Sequence, residues 1–555
     1  MSFRESRSRE LGKGFLLFAF AYLSFAAVVA MLAQVGLPDS AAAVLIVAVT
    51  LLAFVSLGFV ARTMQLPEFQ TASRLVPPAF NGMATAAAFL SSAGFLGLAG
   101  AFFAGNGSEL AVVAGWTIGF LLLSVLIAPY VRKAAAVSAA DFLAIRFDSA
   151  AVRFAAVIVT VACSFAFLVA EIAAAGIVGA GLFGIAPETA IGIVLAVILA
   201  GTLAGGMRAV TLTAVAQYIV LAIAFLTPAM VLSFQEYDIP FPQLTYGLAL
   251  DEMIGLGATV APATPNRYLP VPPLDGFNMA VLAISLAAGV ASMPHILARS
   301  GTATDARAAR RSAGWALFFV MLIIATAPAY AAFASLQLFI DPSLGTVQAD
   351  MVVLSLPAIA DLSPAMTALI AAGALAAMLG TATALLFAIA NTLGHDFFGG
   401  LLDRHGPPGR RLIMTRIALI AVAALAAWYA VDAPPDIFAL AATSLSLAAS
   451  GLFPALLLGV WWKRANAAGA LAGIVLGFGA GGAYVWATLF GGMAPWQPLG
   501  SAGSGLPAMA AAFFGLPVGI LATIFVSQIT RAPTEDETET LEAIRRPTPD
   551  GRFEE

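Results

Sequence analysis

Of the 26 Lys and Arg residues in this chain, 25 fall on one side of an alternating series of apolar segments. Fourteen such segments start near residues 14, 41, 80, 111, 154, 189, 213, 275, 313, 363, 412, 435, 466 and 506. Each runs for about 18 to 30 residues, long enough to cross a hydrocarbon core about 30 Å thick as a helix. The cation-bearing side holds Arg4, Arg7, Arg9 and Lys13, then Arg62 and Arg74, then Arg132, Lys133, Arg146 and Arg153, then Arg208. It continues with Arg299, Arg307, Arg310 and Arg311; Arg404, Arg410, Arg411 and Arg416; Lys463 and Arg464; and Arg531, Arg545, Arg546 and Arg552. Only Arg267 falls on the other side, among Glu236, Asp238, Asp251 and Asp350. The positive-inside rule then makes both termini cytoplasmic, in a multi-pass protein of the cytoplasmic (inner) membrane. Merging or splitting any one segment would scramble the alternation, so segment count and topology support each other.

The chain is 61% apolar and 10% charged, far from the balance of a soluble domain. Its one cysteine, Cys163, lies in an apolar segment, which excludes an intramolecular disulfide and a cysteine metal cluster and predicts a packing role. The first segment, residues 14–34, follows a basic stretch, lacks a clear cleavage pattern and precedes thirteen others, so it reads as a retained helix. The longest polar stretch, residues 235–274, lies outside. The acidic, Pro-containing tail, residues 531–555, reads as disordered. No stretch has room for a kinase, a nucleotide-binding domain or a nucleic-acid reader, so the expected partners are membrane lipid and a small solute.

Two segments are poorly suited to being plain lipid-facing helices. The third carries Ser91-Ser92-Ala93-Gly94-Phe95-Leu96-Gly97 at its centre, and the eighth carries Gly289-Val290-Ala291-Ser292-Met293-Pro294-His295. Glycine lowers the cost of leaving helical geometry and proline removes a backbone donor. Close packing through small residues explains either segment alone. Together they say more. They lie five segments apart, and five is odd, so segments 3–7 and 8–12 form two repeats of opposite orientation, each opening with an interrupted helix. That pattern points to an inverted-repeat secondary transporter with its site at the midplane.

Few ionisable residues lie within the segments. Glu171, in the fifth, is an expensive intramembrane carboxylate that faces a cavity or a partner. Gly380-Thr381-Ala382-Thr383 lies mid-span in the tenth. A threonine there either bonds back to the preceding turn or offers a hydroxyl to a hard cation. His295 and His395-Asp396, near the cytoplasmic ends of spans, read as interfacial or gating contacts, and with His405 in a loop the three histidines lack metal-ligand spacing. Gly201-Thr202-Leu203-Ala204-Gly205-Gly206 leaves a span and reads as a turn, not a phosphate loop. No acid–base or metal constellation supports an enzyme.

Several ordered stretches resemble the solute:sodium symporter family, and within it the acetate-permease-like branch, over about residues 80–477. They are Asn81-Gly82-Met83-Ala84-Thr85-Ala86-Ala87 with Ser91; Ala128-Pro129-Tyr130-Val131-Arg132-Lys133 with Asp141-Phe142-Leu143; Gly205-Gly206-Met207 with Val215-Ala216-Gln217-Tyr218; Met293-Pro294-His295-Ile296-Leu297 with Asp305-Ala306-Arg307; His395-Asp396; and Trp461-Trp462-Lys463-Arg464. The resemblance implies a ten-helix inverted-repeat core flanked by two helices on each side. It implies sodium as coupling ion and acetate or another short monocarboxylate as solute. It places the sodium ligands at Ala87, Leu90, Ala377, Gly380 and Thr381. The chain departs from the pattern in three places: Gly380 replaces a hydroxyl residue, Ala88 stands where the branch has an Asp, and Glu171 stands where a Gln is expected. An acid has moved across the expected cavity, which opens proton coupling as an alternative.

The resulting expectation is an all-α integral membrane protein of about 14 transmembrane helices. Residues 1–78 hold the N-terminus and two accessory helices, 79–462 the five-plus-five core, 463–530 two C-terminal helices and 531–555 the tail. Its expected work is symport of a small monocarboxylate with sodium or protons by alternating access, with no cofactor. The solute is placed near Ser91, Ser92, Phe95, Glu171 and Gly289. The alternative is a transport-inactive sensor of small carboxylates that acts through a partner.

Overall fold

The computed structural model describes residues 3–105, 108–256, 276–432, 437–497 and 505–546. Twelve helices are long and apolar enough to cross a membrane, thirteen with one bent pair. In chain order they are α1 (Glu10–Gln34), α2 (Asp39–Val60), α3 (Pro78–Ala104), α4 (Glu109–Lys133), α5 (Ala150–Phe183), the short α6 (Pro187–Thr202) and α7 (Gly206–Tyr237). Then come the bent α8 (Gly276–Ser292 with Pro294–Ser300), α9 (Ala306–Ile340), α10 (Pro364–Leu402), α11 (Pro408–Val431), α12 (Ile437–Trp461), α13 (Ala467–Leu489) and α14 (Ala508–Ile529).

These match the fourteen segments in order, with two departures in length. The sixth is a helix of only 16 residues, about 24 Å at 1.5 Å per residue, short of a full hydrocarbon core. Pro187 opens it and the Gly205-Gly206 turn follows its end. In the other direction, α10 runs for 39 residues because it continues through a wider π-helical stretch, Thr392–Leu402.

Burial sorts the spans. The most apolar window of α10 is wholly enclosed by protein, whereas that of α1 is 17% buried and that of α2 28%. Spans α3, α5, α7, α9 and α12 also lie largely inside. The accessory helices therefore flank a core centred on α10. Small residues set the packing, since lipid tails supply no hydrophobic drive between helices. Gly469, Gly473, Gly477 and Gly481 recur every fourth residue along α13. A Cβ at Gly473 would meet Thr523 of α14, and one at Gly477 would meet the Ser450 carbonyl of α12.

The basic loops converge on one end of the bundle. Arg74 donates to the Ala135 carbonyl (2.5 Å), Arg132 to those of Ala303 and Thr304, and Arg416 to that of Thr63. Lys463 pairs with Glu542 at 3.0 Å. Arg267, the one cation expected opposite, lies outside the described residues. Part of the tail departs from the expected disorder: Glu535–Arg545 is a helix with a Thr534–Glu537 capping box, and it buries Leu541 and Ile544. The composition is acidic, yet two apolar residues three apart give this one stripe something to pack.

Candidate functional site

Span α3 breaks at Ser91. That residue has φ 50° and ψ −176°, backbone angles almost reserved for glycine. Its own hydroxyl accepts from the Ala93 N–H at 3.1 Å, and a π turn, Ala93–Gly97, follows. A restarted helix exposes backbone donors that in a membrane need a partner. Glu171 of α5 supplies one. Its Oε2 accepts from the Ser92 N–H at 2.9 Å and its Oε1 from the Ser92 hydroxyl at 2.6 Å. Glu171 is completely buried. A carboxylate facing the amino end of the resumed helix is also favoured by the helix dipole.

Beside the break lies a cavity lined by Ser91 and Ala93, by Trp116 and Phe167, and by Phe438 and Ala442 of α12, among other apolar groups. It admits about one water molecule. Of the five residues expected around the solute, Ser91 lines this cavity, while Ser92 and Glu171 are bonded to each other and are not part of its lining. Phe95 points elsewhere, edge-on to Phe225 at 4.9 Å. Gly289 is pressed against α12, where an added Cβ would stand 2.5 Å from the Leu445 carbonyl oxygen. The aromatic lining was not singled out from the sequence, because a Trp or Phe in an apolar run does not reveal which face it occupies.

Three of the five expected sodium ligands, Ala87, Gly380 and Thr381, come together. The Thr381 hydroxyl lies 3.3 Å from the Ala87 carbonyl, joining α10 to α3. An added Cβ on Gly380 would come within 2.8 Å of that carbonyl. The close approach therefore requires glycine there. The Leu90 carbonyl, at the break, accepts from the Ala93 N–H. Ala377 is buried one turn before Thr381 on the same face of α10. Nearby, His295 Nε2 donates to the Ala88 carbonyl at 3.2 Å. Span α8 is bent by 47° at Met293, and its short half reaches α3 through His295.

A second polar cluster lies toward the basic end. Gln70 donates to His395 Nδ1 at 3.2 Å, leaving Nε2 to face Asp141 Oδ2 at 3.6 Å. Arg153 reaches both Asp141 (3.3 Å) and Asp396 (3.8 Å), and the Ser138 hydroxyl donates to Asp396 at 2.5 Å. Asp141, His395 and Asp396 thus come close enough to hold a metal, but the arginine already supplies the positive charge. Burial pushes Asp141 up, yet His395, the Val137 N–H and Arg153 outweigh it and hold this carboxyl below its ordinary range. Arg299, assigned to a loop by sequence, lies in the short half of α8 and is buried, bonded to the Thr211 hydroxyl at 2.9 Å.

The sequence profile of the sodium:solute symporter family matches residues 69–477. The chain belongs to the sodium:solute symporter family. An uncharacterized symporter of Cupriavidus necator is 32% identical, with 88% of this chain matching 92% of that protein. A monocarboxylic acid transporter of Corynebacterium glutamicum is 26% identical over 75% of this chain and 77% of its own. A solved sodium-coupled sialic acid symporter shares the fold, with a TM-score of 0.71 at 17% identity over 90% of this chain and 99% of its own. The chain is thus a multi-pass solute symporter of the inverted-repeat transporter fold, and its relatives are transporters, not enzymes.

Proposed function

We propose that this symporter couples entry of a small monocarboxylate, acetate or a close homologue, to sodium across the cytoplasmic membrane, with both termini inside. The observation that carries the reading is the meeting of Ala87, Gly380 and Thr381 directly beside the α3 break. Unwound carbonyls and a hydroxyl at a broken helix are the donor set that suits a sodium ion. Neutral oxygens fit a monovalent cation better than a divalent one, which takes carboxylates.

The cavity argues for the solute class. Its walls are aromatic and aliphatic, with Ser91 the polar group at the break. A short carboxylate can lay its methyl end on those rings and its oxygens against the Ser91 hydroxyl and the Ser92 N–H, once Glu171 releases that donor. The free space is far too small for acetate, so the cavity has to widen on binding. The Corynebacterium glutamicum relative, named a monocarboxylic acid transporter, supports the same class.

Glu171 is the control point in this reading. An ionised Glu171 repels an incoming carboxylate, and its two bonds from Ser92 hold the break closed. A cation bound at the Ala87–Thr381 seam offsets that repulsion, so cation and solute each improve the other's binding. No relative or structural neighbour above is named a sensor, and no geometry among the described residues favours that alternative.

The test is competition in whole cells that express the protein. Labelled acetate uptake should be inhibited by propionate and spared by succinate, whose second charge has no partner among apolar walls. Equal inhibition by both would rule out the monocarboxylate reading.

A further inference from the structure

We infer that Gln217 is a cation ligand of the α3–α10 seam, its side-chain oxygen standing where Gly380 has no group to offer. This deepens the sodium coupling proposed above and rests on it. Gln217 sits on α7, in one of the stretches that carry the family resemblance, and is 3% exposed. Its Oε1 is buried and accepts no hydrogen bond among the described residues. Leaving a carbonyl oxygen dry and unpaired inside a bundle is costly, so a lasting orphan calls for a ligand.

The position of that oxygen decides what the ligand is. A Cβ on Gly380 would stand 3.4 Å from Gln217 Oε1 and 2.8 Å from the Ala87 carbonyl oxygen. The Thr381 hydroxyl lies 3.3 Å from the same carbonyl. Oxygens from α3 and α7 therefore face one spot that a glycine leaves bare, and the Thr381 hydroxyl of α10 lies beside the first of them. Two of the three can only accept, and the third can rotate to do so. None is charged, and the nearby acid, Glu171, is engaged by Ser92. Such a set takes a hard monovalent cation. It also explains how the seam can do without a hydroxyl at Gly380: the missing ligand comes from a different helix.

The test is equilibrium binding of labelled sodium to the purified full-length protein in detergent, with no solute and no gradient. Wild type should bind saturably. Gln217→Leu, which keeps the volume and loses the oxygen, should weaken sodium binding by about tenfold or more, with the elution profile and thermal midpoint unchanged. Gln217→Glu presents an oxygen whichever way the head turns and should bind sodium more tightly than wild type. Wild-type binding with equal affinity in Gln217→Leu overturns the Gln217 assignment and leaves sodium coupling standing, since a water would then fill the spot. Failure of wild type to bind sodium overturns both. Should Gln217→Leu not fold, Gln217→Glu decides, because an anion at a cation site cannot leave the affinity unchanged.

Discussion

Glu171 and Ser92 are joined by two hydrogen bonds in the core, and their chemistry is asymmetric. Both Ser92 groups donate, so both Glu171 oxygens are needed as acceptors. Glu171→Gln puts an NH2 group opposite one of those donors and removes a charge-assisted bond worth about 1.5–3 kcal/mol. Uptake should fall by about 10- to 100-fold, since each ~1.4 kcal/mol is tenfold in rate. Undiminished gradient-driven uptake by this variant would remove Glu171 from the mechanism. Ser91 offers a test of the break itself. Glycine tolerates its backbone angles, so Ser91→Gly should stay within about 1 kcal/mol of wild type, the strain relieved offsetting the lost Ala93 contact and added chain freedom. Ser91→Val, β-branched at positive φ, should cost about 2 kcal/mol or more. Thermal unfolding of the two variants checks the contrast.

At the scale of elements, the two interrupted helices were legible because glycine, serine and proline crowd the middle of spans where apolar residues are expected. What the sequence could not supply was the facing of each residue. Gly289 lies in the eighth segment's break region, as expected, yet it serves the α8–α12 contact rather than the cavity. A small residue reads the same whether a helix or a solute presses on it. Gly289→Val should therefore lower the thermal midpoint and uptake together, by overpacking worth about 1–3 kcal/mol. Reduced uptake with an unchanged midpoint would instead put Gly289 on the solute path. The cluster joining Ala139–Phe147 to α10 was equally hidden, because Asp141 and His395 are far apart in sequence. Its pH behaviour follows from Asp141, whose carboxyl sits below the ordinary range. The stability it contributes is fully present above the unfolded value of about 3.9 and is lost as pH falls through the lower folded value. Asp141→Asn should flatten that acid limb in a plot of thermal midpoint against pH.

For the whole molecule, the alternation of cations was the strongest guide, because charge placement is a property of loops and survives any error in helix ends. The loops that carry them do meet at one end of the bundle, through Arg74, Arg132 and Arg416. With Cys163 replaced by Ala, a cysteine at Gly345, between α9 and α10, should react with an impermeant thiol reagent on intact cells. One at His405, between α10 and α11, should react only after the membrane is opened. The reverse pattern would invert the topology and the direction assigned to transport. The central claim, symport of a small monocarboxylate with sodium, is tested most directly in proteoliposomes, by measuring labelled acetate uptake under an imposed sodium gradient and, separately, a proton gradient. Accumulation driven by sodium and absent with the proton gradient alone is the predicted result. Accumulation driven by protons with sodium absent on both sides would contradict it and would make Glu171 the coupling site.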